Sequence, residues 1–445
     1  MKNVVLSGIL VLGGTLCLAA SSAGSAPSFG APRTYPTGNA PVSVAIGDLN
    51  GDRKPDLATA NSTAGTVSVL LNGGAGALRP KVDYGSGNNP PSVAIGDLNG
   101  DGKGDLVTAN WAMTGRFPTS NVAVLLNRGD GTFAAKVDYP TGLRPTSVAI
   151  GDLNGDGKLD VATAEEGHEA VSVLLNMGDG TLQPHVDYDT GSLPESVAIG
   201  DLNGDGKADL ATANRFASSV SIFLNRGDGS FQPKVDYETG SNPDSVAVGD
   251  LNGDGKADLA TANAEVSTVS ILLGRGDGSF SAKVDSEVDR VPASIALVDL
   301  NGDRKLDVAT ANGGSNTITV LSNRGDSRFG SRTEFRTGLQ PDGIAIGDLN
   351  GDGKPDLASA DEGENAVSVL ANTMVNCRVP QVRKKALPAA KRAIARAHCR
   401  VGKIRRAYST TVRKGRVSSQ RPRPGTVLPN RGKVNLVVSR GRRAS

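Results

Sequence analysis

The chain is poor in the residues that build a helical core or a soft-metal centre. Aromatics make up 4% of its 445 residues, with one tryptophan, three cysteines and three histidines. Cys377, Cys399 and His398 are one ligand short of a structural zinc site. No nucleophile motif, paired catalytic carboxylate or phosphate-cradling loop rises above the background, which points away from an enzyme. Long apolar runs are missing apart from Val4 to Ala20, so no other stretch could span a bilayer. From Cys377 onward there is no Asp or Glu against 21 Lys and Arg, leaving residues 27–376 with 26 basic and 46 acidic side chains. The net charge of +2 thus hides an acidic body and a basic tail.

What the chain has in abundance is glycine, 57 residues, and one nine-residue phrase that occurs seven times. It starts at Asp48, Asp97, Asp152, Asp201, Asp250, Asp299 and Asp348. Oxygen-bearing side chains hold its first, third, fifth and ninth places. The sets are Asp48, Asn50, Asp52 and Asp56; Asp97, Asn99, Asp101 and Asp105; Asp152, Asn154, Asp156 and Asp160; Asp201, Asn203, Asp205 and Asp209; Asp250, Asn252, Asp254 and Asp258; Asp299, Asn301, Asp303 and Asp307; and Asp348, Asn350, Asp352 and Asp356. Such a loop, with a backbone carbonyl at its seventh place, supplies most of the oxygens that Ca²⁺ takes. Magnesium demands stricter geometry, and zinc and copper want imidazole or thiolate. Place twelve holds Thr163 where an EF-hand carries glutamate, and the flanks read as strands rather than helices. Asp, Asn and Gly also form turns, but seven copies of three close carboxylates call for positive charge, up to seven Ca²⁺ in all.

The phrase recurs mostly at 49-residue steps, a period that marks one supersecondary unit repeated. Each unit reads as four short strands joined by turns, the pattern of a propeller blade. The last unit lacks its fourth strand, and Phe29 to Gly38 matches that strand as it stands at Phe231 to Gly240. The expected fold is mainly β: a seven-bladed β-propeller over residues 28–375, closed by an N-terminal strand. Residues 1–26 read as a secretory signal peptide.

Phe29-Gly30-Ala31-Pro32, the Asp-Leu-Asn-Gly-Asp-Gly loops and the Gly-Asp-Gly-x-Phe turns resemble FG-GAP/VCBS repeats, the propeller family of integrin α-chain heads and many bacterial surface proteins. The resemblance implies a seven-bladed calcium-binding propeller and says little about its ligand. Arg53 and Arg304 depart from the glycine that fills the sixth place elsewhere; if that place needs positive φ, these two loops carry strain.

Other motifs have bland readings. Arg128-Gly129-Asp130 and its repeats look like an integrin ligand, but Gly and Asp suit the tight turn they occupy. Tyr84, Tyr139, Tyr188 and Tyr237 share one repeated place and read as packing. His168 and His185 lie in unlike places without an evident partner. The second-to-third-strand loop of blade two is six residues longer than its equivalents and supplies ligand-face candidates, Trp111, Arg116 and Phe117, on the face opposite the acidic loops.

Residues 377–440 read as strand, helix and three strands, a small α+β (β-α-β-β-β) unit, and 441–445 as a basic tail. Val379-Pro380, Ala389-Ala390, the segment from Ser419 to Thr426 and Val434 to Ser439 resemble a PASTA domain, which implies cell-wall peptidoglycan as a partner. The charge also suits an anionic glycopolymer, while export and scarce aromatics disfavour nucleic acid. Cys377 and Cys399, an even pair in an exported chain, favour a disulfide worth roughly 3 kcal/mol. The expected role is that of a secreted or envelope-bound bacterial binding or adhesion protein with an unidentified glycan or protein ligand on the propeller. The alternative is a calcium-dependent carbohydrate-active enzyme, a polysaccharide lyase or hydrolase.

Overall fold

The structure, a computed structural model, describes residues 26–114, 117–325, 329–375, 377–428 and 432–442. The expected signal peptide therefore falls outside the described residues, save Ala26.

Seven four-stranded antiparallel sheets follow one another, and six of them are consecutive in sequence. In the third, Pro145–Gly151, Asp160–Glu165, Ala170–Leu174 and Val186–Asp189 pair in that order. The seventh takes its outer strand from the N-terminus, where Arg33–Pro36 pairs with Ala366–Leu370. The expected closure is present. It covers the edge of Ala366–Leu370 and gives the last blade the same four strands as the others.

Alternation places Val, Leu and Ala of the two middle strands between blades, and those strands are buried along their length. Each apolar seam draws on two neighbours: Leu49, Val67 and Val69 with Val93, Leu106 and Phe133, for example. The seam of Leu57 and Leu70 with Leu349 and Val367 joins the last blade to the first. The inner strands touch so closely that a Cβ on Gly47 would lie 2.9 Å from Ile95 Cγ2. Tyrosines bolt the rim: Tyr84 Oη donates to Gly131 O at 3.1 Å, and its ring meets Phe133 edge-on at 5.1 Å. The packing reading of these tyrosines holds.

The blade-two insertion is a longer hairpin rather than a longer loop. Asp105–Thr114 and Phe117–Leu125 stay paired out to Thr114 and Phe117. The basic module also differs in detail. Its first strand is only Cys377–Arg378, paired with a further short strand, Val427–Leu428. The helix Leu387–Arg396 follows, then a sheet in which Lys433–Ser439 lies between Arg400–Ala407 and Val417–Arg421. Cys377 and Cys399 form a disulfide within the module's apolar core.

One buried polar slot breaks the repeat. At the end of the second strand most blades hold an asparagine; Asn214 accepts from Thr212 Oγ1 at 3.3 Å and donates to Ser221 Oγ at 2.8 Å. Blade three puts Glu165 there, fully buried, accepting from Thr163 through Oε1 while Oε2 has no hydrogen bond. Burial pushes its carboxyl up to about 7, with Asp187 adding to the rise and Thr163, Ser172 and His185 opposing it. A neutral acid can donate as the amide does; a carboxylate cannot. Because the folded chain holds this proton and the unfolded chain releases it near pH 4.5, stability is full below that pH and falls as pH rises to about 7. Denaturant titrations in chelator should show wild type losing about 3 kcal/mol more across that window than Glu165→Gln. Parallel pH profiles would refute a neutral Glu165.

Candidate functional site

The seven acidic loops join first to second strands, and in each the oxygens fold onto the loop's own backbone. The first Asp receives, through Oδ2, the N–H of the sixth place at 2.6–2.9 Å, from Arg53, Gly102, Gly157, Gly206, Gly255, Arg304 and Gly353. That place has positive φ throughout, near 80° for most of the glycines and 63° and 69° at Arg53 and Arg304. The condition for strain at these two arginines is met. The third-place Asn accepts from the fifth N–H at 2.8–3.0 Å. The fifth Asp accepts from the seventh N–H at 2.9–3.2 Å.

A lysine at the seventh place brings positive charge to five fifth-place carboxylates. Lys54 meets Asp52 at 2.8 Å, Lys103 Asp101 at 3.0 Å, Lys158 Asp156 at 3.3 Å, Lys207 Asp205 at 3.4 Å and Lys354 Asp352 at 2.9 Å. Hydrogen bonds from Lys54 and Lys103 hold Asp52 and Asp101 below the usual carboxylate range. Among the described residues, no three carboxylate, imidazole or thiol side chains gather into a metal-binding cluster. The donor chemistry nonetheless fits a hard cation: every side-chain donor is oxygen, and an ammonium already rests on one of them.

The ninth Asp differs from the others. Asp160 is fully buried, accepting Leu153 N at 2.9 Å and Asn176 N at 2.8 Å. All seven copies bond this way, with Gly274 N replacing the asparagine in blade five. Desolvation raises their pKa, Asp307 to about 7. The partner asparagine also reaches across the seam: Asn176 Nδ2 donates to Leu98 O of the preceding blade at 2.7 Å and to Leu159 O of its own at 2.8 Å. Asn72, Asn127, Asn225, Asn323 and Asn372 do the same. Sequence reasoning passed over these asparagines, although their recurrence at the end of the third strand was a signal.

The Gly-Asp-Gly turns share this face; a Cβ on Gly129 would lie 2.7 Å from the Lys103 side chain. Asp130, Asp179, Asp228 and Asp277 cap their own turns through the N–H two residues on, so they serve the hairpin.

At the other end of the inner strands, a cavity of about 350 Å³ opens on the ring axis. Equivalent residues of the seven blades line it: Val42, Pro91, Thr146, Glu195, Asp244, Ala293 and Asp342. Arg215 bridges Glu195 at 3.0 Å and Asp244 at 3.3 Å. Burial pushes the carboxyls of Asp244 and Asp342 up to about 7. Next to this mouth, Arg144 lies 4.7 Å over the Trp111 ring and 2.8 Å from Glu166. Arg116 falls outside the described residues, and Phe117 is placed only as the start of its strand. His168 and His185 do have a partner: they flank Asp187 at 3.8 and 2.8 Å. The expectation that they stand alone was wrong, because strand pairing brings the hairpin and the outer strand together across about twenty residues.

Compared with known families, the chain matches the FG-GAP-like repeat at residues 48–108, 112–163, 152–212, 201–261, 250–310 and 299–359, more than half its length, and the PASTA domain at 378–440. No curated protein matches it. Solved structures with a similar fold include BBS1N in complex with ARL6DN, soaked with mercury, at 11% identity, TM-score 0.56, covering 77% of this chain and 97% of that one. A catalytically inactive virginiamycin B lyase from Staphylococcus aureus with quinupristin matches at 14% identity and TM-score 0.52, covering 77% and 99%. A putative 6-phosphogluconolactonase from Bacteroides uniformis matches at 18% identity and TM-score 0.51, covering 75% and 96%. At these identities the likeness concerns the fold alone.

The two kinds of loop aspartate should separate on mutation. With chelator present, Asp160→Ala is expected to cost about 3–5 kcal/mol, since two backbone donors lose a buried acceptor. Under the same conditions, Asp156→Ala should leave the unfolding midpoint close to that of wild type, because the exposed carboxylate is screened by water. Equal effects in chelator would refute a structural role peculiar to the ninth place.

Proposed function

The chain belongs to the FG-GAP-like repeat proteins and carries a PASTA domain, and from that premise we propose an exported, envelope-associated, non-catalytic binding protein whose propeller takes up Ca²⁺. The observation that carries this reading is the sevenfold recurrence of an all-oxygen loop on one face of the ring. Calcium would be held by the first, third, fifth and ninth side chains and the seventh carbonyl of each loop. The fifth-place carboxylate would exchange its lysine for the ion. The buried disulfide fits export to an oxidising compartment. The PASTA domain supplies attachment to a cell-wall polymer. The opposite face, with Trp111 and the channel mouth, is then free for a glycan or protein ligand.

One observation favours a second reading, a calcium-dependent carbohydrate-active enzyme. Asp244 and Asp342 titrate near 7 in a cavity, where a carboxylic acid can donate a proton at neutral pH. Proteins of similar fold are named as a lyase and a lactonase.

Elemental analysis of protein dialysed against Ca²⁺ should find several ions per chain. Each site filled at 100 times its Kd adds about 2.7 kcal/mol, so removing several ions together should lower Tm by about 10 °C or more. No bound calcium together with an unchanged Tm would defeat the metal reading. Saturable binding to envelope fractions without new reducing ends or unsaturated products supports the non-catalytic role; product formation lost in Asp244→Asn would replace it with the second.

A further inference from the structure

The module's three-stranded sheet has one covered face and one open face. Val434 and Leu436 of the central strand pack with Val417 against Ala390 and Ile394 of the helix. The alternate residues, Asn435 and Val437, turn the other way and floor a groove of about 530 Å³. Lys403 and Arg405 wall it on one side, Arg421 and Arg423 on the other. Four cations therefore face one trough. None has an anionic partner inside the module, because no Asp or Glu follows Cys377. Such a cluster repels itself unless an anion of comparable charge density enters.

Three features narrow the ligand. No aromatic ring lines the groove, so neither a nucleobase nor the apolar face of a sugar has a platform to stack on. The module's one aromatic, Tyr408, sits under Arg440 instead, 5.8 Å from its guanidinium. Three of the four cations are arginines, whose forked donors match the paired oxygens of a phosphate better than an ammonium does. At about 530 Å³ the trough has room for a short stretch of a thin chain and not for a nucleic-acid duplex.

We propose that the groove of Lys403, Arg405, Arg421, Arg423 and Asn435 binds a linear, flexible polymer with a phosphodiester in every repeat, and that this polymer, rather than the glycan or peptide of the wall, is what the module holds. The inference rests on reading the module as the envelope anchor and names the chemistry it grips. Phosphates would lie along the two cationic walls, and Asn435, whose Oδ1 accepts Lys403 N at 2.7 Å, would turn its amide N–H toward them.

The test uses the full chain, glycerol-phosphate oligomers, phosphate-free peptidoglycan, polyglutamate and duplex DNA, titrated at several salt concentrations. Glycerol-phosphate oligomers should bind at least tenfold tighter than the other three. Replacing Arg405, Arg421 and Arg423 by Gln should weaken that binding about thirtyfold or more and flatten the slope of log K against log salt by about two, near 0.7 per lost contact. Replacing Lys391, Arg392 and Arg396 of the helix by Gln removes the same charge away from the groove and should change affinity less than about threefold. The Lys variants at the three groove positions, which keep the charge and lose the fork, should fall between wild type and the Gln variant and report correct folding. Equal losses from groove and helix would overturn the site, and tighter binding to polyglutamate or DNA would overturn the ligand class. If intact wall fractions bind while glycerol-phosphate oligomers do not, the anchor stands and this inference fails. If neither binds, both fail.

Discussion

The ring depends on a carboxylate that never meets solvent. Asp56 and its six equivalents each accept two backbone N–H groups, one from the acidic loop and one from the end of the third strand. A charge in that position is costly unless its lone pairs are filled, so the loop cannot swing away and the third strand cannot slip. The strand-end asparagine extends the constraint sideways by donating to a leucine carbonyl of the preceding blade. Serine hydroxyls at the inner strands repeat the sideways link, as where Ser43 Oγ accepts Val93 N at 3.3 Å. Apolar seams supply the area, and these polar ties fix the register at which it is buried.

Much of this was legible because the repeat amplified it. One Asp-Asn-Gly-Asp is an ambiguous turn; seven at a fixed period, with the missing fourth strand found at Arg33–Pro36, specify the blade count and the closure. The acidic loops were found, but the division of labour inside them was not. Spacing alone makes Asp156 and Asp160 look like equivalent donors. Burial separates them, since the ninth Asp begins a fully buried strand and the fifth faces water. The contact of His168 and His185 with Asp187 was invisible for a related reason: it depends on which outer-strand residue faces the hairpin, and register sets that. The basic groove was hidden too. Composition showed the charge, whereas only the alternation of Lys433–Ser439 showed that one sheet face stays open.

Departures from the repeat carry their own information. Gly274 stands where six blades have the bridging asparagine, and a Cβ there would lie 2.0 Å from Ala257 O. The backbone approaches too closely for a side chain, so the seam before blade five does without that tie. Gly343 replaces the inner-strand serine in blade seven, where a Cβ would lie 2.9 Å from Ser43 Cα of blade one. The ring therefore closes slightly tighter at its last joint than at the others. Glu165 and Asp361 take the buried asparagine slot in two blades, each with one oxygen lacking a hydrogen bond. Local exceptions of this size persist because the remaining blades hold the geometry.

The loops' own hydrogen bonds alter the part a cation can play. Clustered carboxylates by themselves would make bound ions a condition of folding, as in small metal-nucleated domains. Here the first, third and fifth side chains are already satisfied by backbone N–H groups, and five of the fifth-place carboxylates also have a lysine. Seven apolar seams close the ring, each burying the second-place leucine of an acidic loop. An ion entering a loop would displace an ammonium and some N–H contacts rather than fill a void, so its net contribution is the difference between two satisfied states. That difference acts on the rim, in its charge and the stiffness of its turns. The topology itself rests on the buried aspartates and the seams.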